Sequence, residues 1–314
     1  MSPAPDGPST LDLASALPHG YRARPSTAED VDALCHLVGA CEREIQGRVQ
    51  CDPGLVAAEL ARPGLVPELD TRVVHDPSGA LVARAWVNRR SAVDVHPRHR
   101  GRGLGAALLD WADARAVQAG SDYIVQTVPD DDAEAVALLR SRGYQRMVTE
   151  WLLAFDMPDE PAVPEPPEGV SVRPFPSGDQ RAAYELIQDA FDEWQQRRMP
   201  YQEWVQHTVE RPSFAPAMSA LAFAGDQLVG AVVSLDLTDT GDGYIEQVAV
   251  RRDHRGRGIA RLLLRHAFRA FHRHGRRTCT LGTHSETGAL TPYLRMGMQV
   301  RHQSTVYRKS LRAT

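Results

Sequence analysis

Two stretches carry the residue types best suited to hold an anion: "HRGRGLGAALL" at His99–Leu109 and "HRGRGIARLLL" at His254–Leu264. In both, Arg-x-x-Gly-x-small opens an apolar run, as Arg100–Gly105 and again as Arg255–Ala260. Glycines let the backbone approach a ligand closely, and the start of a helix offers unpaired amides and the positive end of its dipole. Such a turn favours phosphate or pyrophosphate, with the arginines adding charge at its rim. A P-loop is excluded, because it needs GxxxxGK[ST] and Lys309 is the only lysine. Gly101-x-Gly103-x-x-Ala106 has the letters of a dinucleotide fingerprint, but His96–Arg100 separates it from the preceding strand. The second copy also places Arg261 where the last small residue belongs. There is no cluster with metal-ligand spacing and no supported Ser/His/Asp arrangement.

The elements around these turns repeat as well. "YRARPSTAEDVDALCHLV" (Tyr21–Val38) is similar to "VSVRPFPSGDQRAAYELI" (Val170–Ile187), each a short strand, Arg-Pro, a polar turn and an amphipathic helix. In the first half, "TRVVHD" and "ALVARAWV" form a hairpin across "PSG", and "SAVDV" (Ser91–Val95) leads to the glycine turn. A helix, the strand "YIVQTV" and the helix "AEAVALLRSRG" follow. The second half repeats the plan with "LAFAG", "LVGAVVSL", "YIEQVAV", "ARLLLRHAFRAFHRHG", "TCTLGT" and "ALTPYLRMG". The expected organisation is a mixed α/β fold used twice, as domains 18–157 and 169–314. The Pro-rich stretch 158–168 joins them, since it cannot continue a helix or a central strand.

Bulk properties agree with two domains. The chain has 314 residues, 42% hydrophobic and 24% charged, with a formal net charge of −4. That charge argues against nucleic acid as partner. No run approaches the ~20 apolar residues of a membrane span. "MSPAPDGPST" has no basic start and no apolar core, so no secretory leader is expected. Cys35, Cys41, Cys51 and Cys279 form no disulfide framework, which points to reduced thiols in the cytoplasm.

With their preceding strands the turns read "VDVHPRHRGRGLGAALL" and "VAVRRDHRGRGIARLLL". These resemble motif A of the GNAT superfamily of N-acetyltransferases, [Q/R]-x-x-G-x-[G/A], once per half. The tandem plan is similar to that of mycothiol synthase and its two-domain relatives. The resemblance implies acetyl-CoA as cosubstrate and a small-molecule amine as acceptor, with no metal, in a monomer or homodimer. Pantetheine would pair along Val248, Ala249 and Val250, and the pyrophosphate would lie on Arg255, Gly256, Arg257, Gly258, Ile259, Ala260 and Arg261. The first-half counterparts are Val93, Asp94 and Val95, then Arg100, Gly101, Arg102, Gly103, Leu104, Gly105 and Ala106.

The implied reaction is direct attack of an amine on the thioester, which needs a proton acceptor and an acid for the leaving thiolate. The resemblance assigns the acid to Tyr293, four residues before Gly297; four before Gly143 stands Leu139, which has no proton to give. The alternative for Tyr293 is a half-buried packing residue. Pro292 suits the first position of a helix capped by Thr291, which would shorten that helix. Glu246 is the candidate base, with Ser91 opposite it in the first half. Strand alternation puts Glu246 on the face of Val248 and Val250, although pairing with an arginine is the alternative. His284 is a second candidate base, and Glu286 stands where many relatives carry asparagine. The expected enzyme is an N-acetyltransferase working from its C-terminal half, the first half being a CoA-binding or structural remnant that completes the acceptor cleft. The competing readings are a non-catalytic acyl-CoA sensor and a protein acetyltransferase.

Overall fold

The computed structural model describes residues 13–312 apart from 47, 48, 50, 52, 63, 89, 176, 177, 194–196 and 238–240. The opening Met1–Thr10, read above as carrying no leader, lies outside the described residues. In chain order the first elements are α1 (Leu13–Ala16), β1 (Arg22–Arg24), α2 (Val31–Gln46), α3 (Pro53–Leu60) and α4 (Pro67–Asp70). Then come β2 (Thr71–His75), β3 (Leu81–Trp86), β4 (Ala92–Val95), α5 (Leu104–Gln118), β5 (Tyr123–Pro129), α6 (Ala133–Ser141) and β6 (Gln145–Asp156). The second series opens with β7 (Val170–Pro174), α7 (Gln180–Phe191), α8 (Tyr201–His207), β8 (Ala220–Ala224) and β9 (Gln227–Leu237). It ends with β10 (Asp242–Val250), α9 (Ile259–Arg273), β11 (Thr278–His284), α10 (Leu290–Arg295) and β12 (Gln299–Ser310). The order matches the repeated mixed α/β plan. Among the described residues no helix is long and apolar enough to cross a membrane.

The chain divides into two compact units, Met1–Thr149 with Gln303–Thr314, and Glu150–His302. In the N-terminal unit β1, β2, β3 and β4 form an antiparallel sheet. The β2–β3 turn is closed by the Asp76 carboxylate, which accepts from the amides of Ser78 and Ala80. Helix α5 buries Leu104, Leu108, Trp111 and Ala112 against Val74, Val82 and Ala85. Removing such apolar surface from water is the main stabilising term. Strand β5 pairs antiparallel with Ser304–Ser310 of β12. Lys309 anchors that segment through Asp113, which also accepts from the Tyr144 hydroxyl at 2.6 Å.

In the C-terminal unit β7 to β10 are antiparallel neighbours, β11 joins β10 in parallel, and Glu150–Asp156 of β6 lies on β11. One face packs on α9 through Ile259, Leu263, Phe268 and Phe271. The other carries Ile187, Trp204, Val205 and Ala249. Gly243 is required, since a Cβ there would lie 2.6 Å from the Phe271 ring. The Pro-rich stretch is docked rather than free: Arg269 donates to the Pro161 carbonyl at 3.2 Å and Arg273 to Glu160 at 2.7 Å.

This grouping differs from the division at 157 and 169 expected from the sequence. Strands β6 and β12 are each 12 residues long and each passes from one unit into the other. The hydrogen-bonding edge of each unit is thus completed by a segment from the other half of the chain.

Candidate active site

Each unit contains a pair of parallel strands that part company just before a glycine turn. In the N-terminal unit the contact is a single bridge, Ser91 to Gln126, with the Ser91 amide donating to Val125 at 3.0 Å. Beyond it β4 and β5 separate around a cavity of about 500 Å³. Val93, Asp94, Val95, Arg100, Gly101, Gly103, Leu104, Gly105 and Ala106 line it, and Arg102 is not among its lining residues. In the C-terminal unit β10 and β11 pair from Gly243–Cys279 to Ile245–Leu281 and no further. Val248, Ala249 and Val250 lie past that point, leading to the second turn.

The two turns match in detail. Gly101 and Gly103 have φ of +70° and +85°, Gly256 and Gly258 +76° and +81°. This left-handed backbone explains the glycines. Gly103 and Gly258 each cap a 15-residue helix, and the first returning amides are Ala107 and Leu262. The amides of Leu104–Ala106 and of Ile259–Arg261 therefore have no intrahelical acceptor, and they sit at the positive helix ends. A Cβ on any of these four positive-φ glycines would meet nothing within 4 Å. These open cradles fit a pyrophosphate.

The arginines differ in use. Arg255 is committed within the protein, donating to Val250 and Ala190 carbonyls at 3.2 Å and to Glu193 at 3.0 Å. Arg257 and Arg261 form no ion pair among the described residues, leaving two cations at the second turn. At the first turn Arg100 pairs with Asp132 at 3.3 Å and Arg102 donates to the Tyr21 hydroxyl at 2.9 Å.

Glu246 is the first residue past the last β10–β11 pair, and it is the extra residue of a β-bulge. Ile245 faces Ser234 of β9 while Gln247 faces Val233. A bulge re-aims side chains, and here it breaks the alternation assumed from the sequence. Val248 and Val250 pack toward α9 with Ile259 and Leu263. Glu246 turns to the opposite face, 3.9 Å from Arg211. Neighbouring Gln247, on that face, accepts from Trp204 Nε1 at 3.0 Å. Burial raises the Glu246 pKa above the usual carboxylate range, and Arg211 opposes that rise. Tyr244, also on this face, has its hydroxyl pushed up to about 12 by burial and then by the Glu246 charge.

Tyr293 lies on α10 with 9% of its surface exposed, and burial pushes its pKa up to about 12. Its phenol therefore stays protonated at neutral pH, and its hydroxyl makes no hydrogen bond among the described residues. The correspondence with Leu139 is exact in hydrogen bonding. The Leu139 carbonyl accepts from Arg142 and Tyr144, and the Tyr293 carbonyl from Met296 and Met298, at 3.0 to 3.2 Å. Pro292 does not shorten the helix as expected. The helix starts at Leu290 with Ala289 as N-cap, so Pro292 sits in the first turn, where its amide would have had no partner anyway. His284 ends β11, its Nδ1 buried without a hydrogen bond and 3.8 Å from Glu286. Among the described residues no group of His, Cys, Asp and Glu has metal-binding geometry.

Sequence reasoning missed Arg211, which lies in a connection with no motif. It also missed Gln126, whose only signal is its place opposite Ser91.

A model of the acetyltransferase (GNAT) family matches residues 79–144 and 181–298, one region in each half. The chain belongs to this family and is an acetyltransferase; family members use acetyl-CoA. It is 27% identical over 310 residues to the mycothiol acetyltransferase of Catenulispora acidiphila, covering 92% of this chain and 98% of that one. A second mycothiol acetyltransferase, from Nocardioides sp., is 34% identical over 143 residues, covering 43% of this chain and 48% of its own. A GCN5-related N-acetyltransferase from Sphaerobacter thermophilus superposes with a TM-score of 0.83 at 30% identity, covering 95% of this chain and 98% of that one. A tandem GNAT protein from the clavulanic acid biosynthesis pathway shares the fold, with a TM-score of 0.73 at 19% identity over 94% of this chain and 99% of its own.

Proposed function

We propose that the C-terminal unit transfers an acetyl group from acetyl-CoA to the primary amine of a small molecule. The observation that carries this reading is Glu246. It is a half-buried carboxylate with a raised pKa, delivered by a bulge to the foot of the parting strands. Raised basicity makes it a better proton acceptor near neutral pH than an ordinary carboxylate.

Acetyl-CoA supplies an activated acyl carbon and a thiol leaving group. The Ile259–Arg261 amides, with Arg257 and Arg261, hold its phosphates, and the free edge at Val248–Val250 pairs with its amide arm. Glu246 takes the proton that the amine loses as nitrogen bonds to the acyl carbon. Tyr293 gives its proton to sulfur as the carbon–sulfur bond breaks, and bulk water restores the phenol. The products are an amide and free CoA. The N-terminal unit has the same cradle and cleft, with Ser91 and Leu139 in place of base and acid; it binds CoA without turnover.

The test is release of free CoA thiol across a panel of small amines. The panel includes the unacetylated amine form of mycothiol, because the relatives above are named for mycothiol. Glu246→Gln should lower kcat/KM at least 100-fold with any accepted amine. A variant as active as the parent, or no turnover with any amine, removes the proposal.

A further inference from the structure

The four cysteines of the chain are unequal in the fold. Cys41 and Cys279 are buried, whereas Cys35 and Cys51 are each partly open to solvent. Cys41 is also engaged, donating to the Val95 carbonyl at 3.4 Å. Cys35 and Cys51 share one place in the N-terminal unit. Both pack on a small apolar cluster of Leu34, Val56 and Val73, where α2 and α3 meet β2. Cys35 lies in the second turn of α2, and Cys51 lies just before α3. The Cys51 amide donates to Glu42 Oε2 at 2.9 Å, which ties that segment to α2. The two thiols are within hydrogen-bonding reach of each other.

Thiols that touch are separated by a gap that side-chain rotation can close, since a disulfide needs β-carbons only about 3.8 Å apart. The two differ in readiness. Burial, and then the neighbouring Cys35, push the Cys51 thiol up to about 12, and the Arg84 charge opposes that rise. Arg84 is itself buried, and its Nη1 has no hydrogen-bond partner. A donor is therefore spare for the thiolate as it forms. Cys51 is thus suited to react second, once a sulfur bound to a leaving group is already beside it.

We propose that Cys35 and Cys51 form a reversible disulfide, with a low-molecular-weight disulfide as the oxidant. The Cys35 thiolate attacks one sulfur of that reagent, making a mixed disulfide and expelling a thiolate that takes up the proton Cys35 lost. Cys51 then attacks the Cys35 sulfur and expels the second small thiol, which carries off the Cys51 proton. Two electrons pass from the protein to the reagent, and the products are one internal disulfide and two small thiols. The bridge joins α2 to the entry of α3. Farther along, α2 supplies Val38, Cys41, Glu42 and Ile45 to the cavity wall, so oxidation clamps that wall from outside.

The experiment treats the full chain, reduced and then freed of reductant, with oxidised glutathione. Its intact mass under denaturing conditions should fall by about 2 Da, the two hydrogens lost, with no glutathione retained. Proteolytic mapping should join the peptide of Cys35 to that of Cys51, and dithiothreitol should restore the mass. The bridge should form at least about tenfold faster in the native protein than in urea, because folding holds the thiols together. Cys51→Ala should instead retain one glutathione on Cys35, the mixed disulfide trapped before its second step. A thermal melt verifies that this variant is folded, and the map of the parent decides the question by itself if it is not. Four free thiols after treatment overturn the proposal, as does a bridge to Cys41 or Cys279. So do a persistent glutathione adduct on the parent, equal rates in native protein and in urea, or a folded Cys51→Ala that takes up no glutathione. None of these readouts involves acetyl-CoA, so the outcome is independent of the transfer reaction proposed above.

Discussion

The two units share one anion cradle but differ at the foot of the strands that lead to it. In the N-terminal unit Ser91 meets Gln126, both neutral and buried. In the C-terminal unit a bulge places Glu246 beside Arg211 and Tyr244. On the helix beyond, Leu139 and Tyr293 occupy the same hydrogen-bonding position, one inert and one protonated. Backbone geometry at a glycine turn supplies affinity for a phosphorylated ligand, whereas chemistry depends on two or three side chains some residues away. Duplication preserves the first more easily than the second, since the cradle is built from main-chain amides.

The largest effect should come from breaking the cradles one at a time. Asp is tolerated in left-handed backbone better than most residues, so Gly258→Asp acts mainly through its charge. Placed against the phosphates, that carboxylate should cost roughly 2 kcal/mol or more of binding and lower kcat/KM with acetyl-CoA at least 30-fold. Gly103→Asp should lower the bound equivalents of acetyl-CoA from two to one, at a far smaller cost in turnover. Steady-state kinetics and calorimetry on both variants settle the comparison. Equal losses of turnover would mean that the units do not divide the work.

Next comes the acid position. Tyr293→Phe removes one hydroxyl from a buried ring and should lower kcat about 10- to 1000-fold, with little change in melting temperature. Leu139→Ala should do the reverse. It truncates a side chain with 3% exposure and should cost about 2 to 4 kcal/mol of stability. Turnover per folded molecule should be nearly unaffected. Stopped-assay kinetics beside denaturant melts separate the two outcomes.

The glycine turns, the hairpin and the duplicated order of elements were legible because each has a local cause. A φ above zero demands glycine, and a helix period demands spaced apolar residues. The equivalence of Leu139 and Tyr293 followed from counting back from Gly143 and Gly297, both at positive φ. The face of Glu246 was not legible, because alternation assumes an unbroken ladder and the bulge adds one residue. Nor was the exchange of β6 and β12. A continuous run such as "MVTEWLLAF" states that a strand exists, not which unit its ends complete. Arg211 and Gln126 entered only through three-dimensional proximity.

The smallest effect sharpens the role of Arg211. Glu246 has a folded pKa above its ordinary value, with burial as the main cause and Arg211 opposing it. The active form is the carboxylate, so kcat/KM should fall as pH drops through a limb lying above the usual carboxylate range. Arg211→Met removes the opposing cation, keeps much of the side-chain volume, and should move that limb to higher pH. The guanidinium is 3.9 Å away and partly solvated, so the move should be modest, and kcat well above the limb should change only a few-fold. Stability follows the same sign. A carboxyl with a raised folded pKa favours folding while it is protonated, below its unfolded pKa. That contribution is lost as pH rises through the folded value. Without Arg211 the loss is greater, so the variant's melting temperature should fall more at pH 8 than at pH 4. A pH–rate profile and melts at those two values test both halves. A limb that stays in place would show that Arg211 holds the geometry of its connection and leaves the charge on Glu246 to burial alone.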